Sequence, residues 1–163
     1  MRTRVVSFGV FVALALIFSY IEGLIPIRLG IPGAKLGLAN LIVVIALYKV
    51  SWKETLLLAV VRVLLAGFMF GNLFSIIYSI AGGLFSLAVM MVLKRSGRFS
   101  VAGVSIAGGT AHNIGQMVVA MLVIESYSII YYIPVLLAAG VLTGLVIGIA
   151  ANEMLKRLVK INL

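Results

Sequence analysis

A chain of 163 residues that is 64% hydrophobic and only 10% charged, with a mean hydropathy of +1.29, cannot cover a water-facing surface. It has no Cys and no Asp, and its only acids are Glu22, Glu54, Glu125 and Glu153; this excludes disulfides and thiolate-held metal centres and leaves almost nothing for Mg2+–diphosphate carboxylate clusters. The net charge of +9 does not mark a nucleic-acid binder, because Lys and Arg sit mainly between apolar runs, where they set membrane orientation.

A helix needs about 20 apolar residues to cross the hydrocarbon core. Six such spans with short connections use nearly the whole sequence, so the expectation is an all-α integral membrane protein, one transmembrane domain over 1–163. Helix 1 is expected over 5–21, after Arg2 and Arg4; Phe18-Ser-Tyr-Ile-Glu22 offers no small-residue cleavage pattern, which argues against a signal peptide. A connector over 22–36 holds Pro26, Pro32, Gly23, Gly30 and Gly33 and is expected to lie over the helix ends. Helix 2 follows over 37–48 and helix 3 over 54–70. A Gly71-Asn72 turn leads to helix 4 over 73–93, then come helix 5 over 101–124 and helix 6 over 132–155.

Arg2, Arg4, Lys49, Lys53, Lys94, Arg95, Arg98, Lys156, Arg157 and Lys160 then fall on one side, and Arg28 and Lys35 on the other. This asymmetry places both termini in the cytoplasm, which requires an even number of spans. Trp52, beside Lys49 and Lys53, fits an interfacial anchor. The chain shows no internal repeat of the kind that lets transporters rock around a central site. It is therefore expected to bind a solute and to rely on partners, or on copies of itself, for transport.

The polar residues inside the spans are the functional candidates, because a polar group in a bilayer must find partners within the bundle. Arg62, near the middle of helix 3, is either a cavity-facing anion-binding or coupling residue, or a structural one satisfying carbonyls or a Glu. On helix 5, Gly108, His112, Gln116 and Ala120 share one face, flanked by Asn113 and thinned by Gly109 and Gly115. These residues form either a ligand pocket, the favoured reading, or an interhelical hydrogen-bond cluster. A lone His with no adjacent acid or nucleophile suggests neither a metal site nor a catalytic triad. Helix 4 carries Ser75, Tyr78, Ser79 and Ser86 around Gly82-Gly83; helix hydroxyls ordinarily bond the preceding carbonyls, with Tyr78 a candidate for orienting a ligand. Asn40 and Asn72, near the outer helix ends, could hold the connector or touch a ligand. Gly140, Gly144 and Gly148 on helix 6 suit close internal packing, and helix 1 has a shorter version in Gly9 and Ala13.

Four stretches carry a family resemblance: Gly30-Ile-Pro-Gly-Ala-Lys-Leu-Gly-Leu-Ala-Asn40, Arg62-Val-Leu-Leu-Ala-Gly-Phe-Met-Phe-Gly71, Ser79-Ile-Ala-Gly-Gly83 and Ala111-His-Asn-Ile-Gly-Gln116. Together they resemble the small bacterial membrane family called Gx transporters, also known as heptaprenyl diphosphate synthase component I, over about residues 8 to 150. That family in turn resembles the substrate-binding S components of energy-coupling factor (ECF) importers, which have six helices and cytoplasmic termini. The resemblance implies a bacterial cytoplasmic-membrane protein with no cofactor, binding its ligand near the outer face among helices 4 to 6, under the connector. Lys35, Arg62 and His112 would supply positive or hydrogen-bonding character, while Asn113, Gln116 and Tyr78 orient the ligand. Gly9 and Ala13 would meet a transmembrane coupling subunit joined to two ATPases, with transport by toppling of the whole component. Prenyl diphosphate synthases resemble one another in Mg2+-holding aspartate motifs; a chain without Asp departs from that pattern, so a non-catalytic synthase subunit is the alternative.

Overall fold

The computed structural model describes residues 2–24, 37–125 and 127–160. Among them run six α-helices: α1 (Arg2–Leu24), α2 (Leu38–Lys49), α3 (Trp52–Phe70), α4 (Leu73–Ser96), α5 (Val101–Ile124) and α6 (Ile133–Lys160), with a 3-10 helix over Tyr127–Tyr132 before α6. The connector residues 25–36, with Arg28 and Lys35, lie outside the described residues.

Local chemistry sets the helix bounds. Ser51 and Glu54 form a reciprocal capping box, so α3 starts at Trp52 rather than at the expected Glu54. Asn72 and Ser75 cap α4 in the same way, and Ser100 accepts from the Gly103 N–H to start α5. Gly97, at φ 67°, ends α4 in the left-handed conformation that glycine adopts without strain. Pro134 sits at the second position of α6, where its missing N–H leaves no helical bond unmade. The helix then runs five residues past the expected end at Leu155, through Lys156 and Arg157.

The helices α2, α3, α4, α5 and α6 pack in a closed ring, each against the next, and α1 lies against α2 and α3. The short helix α2 is apolar all round and buried continuously from Leu41 to Leu47, as a helix enclosed by others must be. Its Ile42 and Ala46 meet Ala15 of α1 and Leu58 of α3. A second cluster, including Leu47, Leu87, Val104 and Ala151, fills the ring toward the end where Lys49, Lys94 and Lys156 gather. Lys94 caps it, donating to the Leu47 carbonyl with its ammonium 5.0 Å from the centre of the Tyr48 ring.

The glycines decide how closely the helices approach. A Cβ on Gly144 would lie 2.7 Å from the Ile106 Cα, and one on Gly148 2.6 Å from the Ala102 Cα, so the helix 6 ridge is internal packing against α5. Gly82 and Gly115 make the α4–α5 crossing in the same way. A Cβ on Gly82 would meet Gln116 Cγ at 2.6 Å and the His112 carbonyl at 2.8 Å, whereas Gly83 has nothing within 4 Å. Two adjacent substitutions therefore have opposite expected outcomes. Gly82→Ala lowers the melting temperature of the detergent-solubilised protein. Gly83→Ala leaves it unchanged or raises it, since Ala is favoured over Gly in a helix by about 1 kcal/mol.

Much of the outward surface is apolar, with Phe68, Leu73, Val92, Leu122, Leu142 and Val146 among its exposed residues. Such a surface is a liability in water and the normal lining of a bilayer. The helices α4, α5 and α6 are each long and apolar enough to cross a membrane, and the apolar stretches of α1 and α2 are shorter. The chain is an all-helical membrane protein.

Candidate functional site

The ring encloses a cavity of about 370 Å3, within the range of small-molecule sites. All six helices contribute to its wall, not only helices 4 to 6. Along α4 the lining runs from Ser75 to Met90, an axial depth of about 22 Å at 1.5 Å per residue. The 12 residues of α2 span only about 18 Å, so that helix walls the cavity from Val44 up to Gly37 and no further. Beyond it the end of α1 adds to the wall: Ser19 and Glu22 line the cavity, and the Tyr20 ring sits 5.3 Å from that of Phe70.

The polar groups converge halfway along the helices. Arg62 stands midway along α3 and donates from Nη2 to Asn40 Oδ1 on α2, at 2.5 Å. Its Nε is buried and has no hydrogen-bond acceptor among the described residues. Leaving a buried donor unsatisfied costs about 1–3 kcal/mol or more when the group is charged, and such exceptions concentrate at functional sites. From α5, His112, Asn113 and Gln116 reach the same cavity. Asn113 Nδ2 donates to the Leu136 carbonyl of α6, which fixes the amide's orientation. Gly108 and Gly109, one turn before, keep the wall thin: a Cβ on Gly108 would lie 3.2 Å from Ser86 Oγ and one on Gly109 2.5 Å from the Gly140 carbonyl.

Five of the expected site residues thus share one cavity: Arg62, His112, Asn113, Gln116 and Asn40. Two expected residues do not join them. The Tyr78 ring stacks on Phe74 at 5.7 Å and lies off the lining; at 100° per residue it stands roughly 80° around α4 from the Ser75–Ser79–Ser86 face. Asn72 spends its side chain on the Ser75 N–H at the start of α4. Lys35 lies outside the described residues. Gly9 and Ala13 are exposed on the outer side of α1, and a Cβ on Gly9 would meet nothing within 4 Å.

Other lining residues did not stand out in the sequence. Glu22 is the chief of these: it faces the cavity and accepts the Gly37 N–H, tying the end of α1 to the start of α2. Being one of only four acids, placed at the end of an apolar helix, was the available signal. Ser86 and Ser105 are buried on the wall, although a helical Ser ordinarily bonds its own backbone, as Ser19 does to the Ala15 carbonyl at 2.8 Å.

A model of the family described as heptaprenyl diphosphate synthase component I matches residues 11–154. The chain belongs to this family. No curated protein and no solved structure matches it. The matched span contains every lining residue of the cavity, from Ser19 to Ile147. For this member of the component I family the stretches quoted above acquire distinct physical jobs: Arg62 on the cavity, Gly67 making room for Ile76, Gly82 and Gly115 at a helix crossing, and His112 and Gln116 on the wall beside them.

Proposed function

We propose that this chain is a membrane substrate-binding component, of the kind S components supply to ECF importers, for a small anionic or amphipathic molecule, isoprenoid-related in keeping with the family's description. The observation that carries this reading is the cavity around Arg62, a cation half-way along a membrane helix whose Nε lacks a protein acceptor among the described residues. In this reading all six helices of the single domain span the bacterial cytoplasmic membrane, with both termini and the basic end in the cytoplasm. The ligand rests among Arg62, His112, Asn113, Gln116 and Asn40. Gly9 and Ala13, exposed on α1, supply the face for a transmembrane coupling subunit that works with ATPase subunits. The chain itself is not an enzyme: it binds without transforming, since an Asp-free sequence lacks the carboxylates that Mg2+-dependent prenyl transfer needs.

A second reading, favoured by the family's description, makes the chain the non-catalytic membrane subunit of a polyprenyl diphosphate synthase whose other component does the chemistry. One experiment separates the two. Affinity purification of the chain from its native membrane, with mass spectrometry of what accompanies it, should return a small molecule together with a coupling subunit and ATPases. Recovery of a soluble prenyl synthase without ATPases would select the second reading.

A further inference from the structure

Two opposite charges face the cavity without touching. Glu22 approaches from the end of α1 and Arg62 from the middle of α3. No ion pair within 4 Å joins them. Each is held by one neutral partner that fixes its position and leaves its charge unspent. Glu22 Oε1 accepts the Gly37 N–H, and a carboxylate has further acceptor sites on its other oxygen. Arg62 donates from Nη2 to Asn40, while its buried Nε has no partner among the described residues.

Among the described residues of the lining, Arg62 is the sole Lys or Arg and Glu22 the sole carboxylate, so their formal charges cancel. A diphosphate would bring several negative charges against that balance, in surroundings where an uncompensated charge costs several kcal/mol. A simple carboxylate would satisfy Arg62 and leave the charge of Glu22 without a cation among the described lining residues. We propose that the cavity takes a small zwitterion, whose carboxylate accepts from Arg62 while its ammonium donates to Glu22. The proposal rests on the cavity being a solute site, and it replaces the net-anionic solute of that reading with one whose carboxylate carries its own counter-charge. Arg suits the role, since its planar fork pairs with a carboxylate through two parallel bonds.

The test uses the full chain in lipid nanodiscs, with equilibrium binding and thermal shift measured against three probe classes: L-α-amino acids, the same acids lacking the amino group, and inorganic diphosphate. At least one amino acid is expected to bind about tenfold or more tighter than its deaminated counterpart, a difference of about 1.4 kcal/mol. Glu22→Gln keeps an oxygen for the Gly37 N–H but removes the charge. It should fold with an unchanged apo melting temperature and lose that preference while still binding the carboxylate. Equal or tighter binding of the deaminated acid or of diphosphate overturns the zwitterion and leaves the solute site standing, as does a Glu22→Gln protein that keeps the preference. Silence from all three classes also overturns the zwitterion, and the purification from native membrane then decides the solute site.

Discussion

Arg62→Leu should abolish solute binding while leaving the protein as stable as before, or more so. The binding loss follows from removing one partner of a desolvated charge pair, which costs about 2–5 kcal/mol, roughly 30-fold or more in Kd. The stability side has the opposite sign. A guanidinium at a helix centre costs about 2.5–3.5 kcal/mol relative to an apolar residue on insertion scales. Its Nε makes no protein hydrogen bond among the described residues. Against this, Asn40 loses the donor that its Oδ1 accepts from, a penalty of about 1–3 kcal/mol. The two terms nearly offset, so the melting temperature in detergent should hold or rise slightly. A residue kept for architecture alone would behave otherwise: its removal would melt the protein and spare the affinity of what remained folded. Melting curves and a binding isotherm on the same preparation distinguish the cases.

Gly144→Val should be among the most damaging single substitutions in the α5–α6 contact. Its Cβ would meet the Ile106 Cα and the Ser105 carbonyl oxygen, each at 2.7 Å, and backbone atoms cannot rotate aside as a side-chain end can. Overpacking costs about 1–3 kcal/mol in ordinary cores and more where whole helices must separate. At about 2–4 °C per kcal/mol, a loss near 3 kcal/mol lowers the melting temperature by roughly 6–12 °C. Gly9→Val is the companion measurement. Nothing lies within 4 Å of its Cβ, so the isolated protein should melt within the range of a surface change, about ±0.5 kcal/mol.

These two glycines show where the sequence was legible and where it was not. Both sit on small-residue patterns with four-residue spacing, and spacing alone does not say whether a neighbour fills the gap. Gly144 faces the backbone of α5, while Gly9 faces outward. The six helices were readable because long apolar runs separated by charges and Gly-Asn or Ser turns leave few other arrangements in a bilayer. Their ends were less so: the box at Ser51 and Glu54 moved one start, and the 3-10 turn over Tyr127–Tyr132 precedes α6 where the helix itself was expected to begin at Tyr132. Among site residues, Arg62, His112, Gln116 and Asn113 were visible because polar groups at mid-helix have to turn inward. Tyr78 was not separable from them, since an amphipathic ring is at home on either face of a membrane helix. Glu22 was overlooked because it closes an apolar run, where an acid reads as a boundary.

The packed cluster around Leu47, Leu87, Val104 and Ala151 makes the cavity a dead end. Its deepest lining residues, Val44, Met90, Ser105 and Ile147, rest on that floor, and Lys94 bolts the underside through the Leu47 carbonyl. A guest that enters cannot percolate onward past side chains packed at crystal-like density. In the proposed role a solute would leave by the way it came in, or the whole body would be carried to where that opening faces elsewhere. In the proposed binding role such a receptacle does no vectorial work alone, and that work has to be done on it from outside.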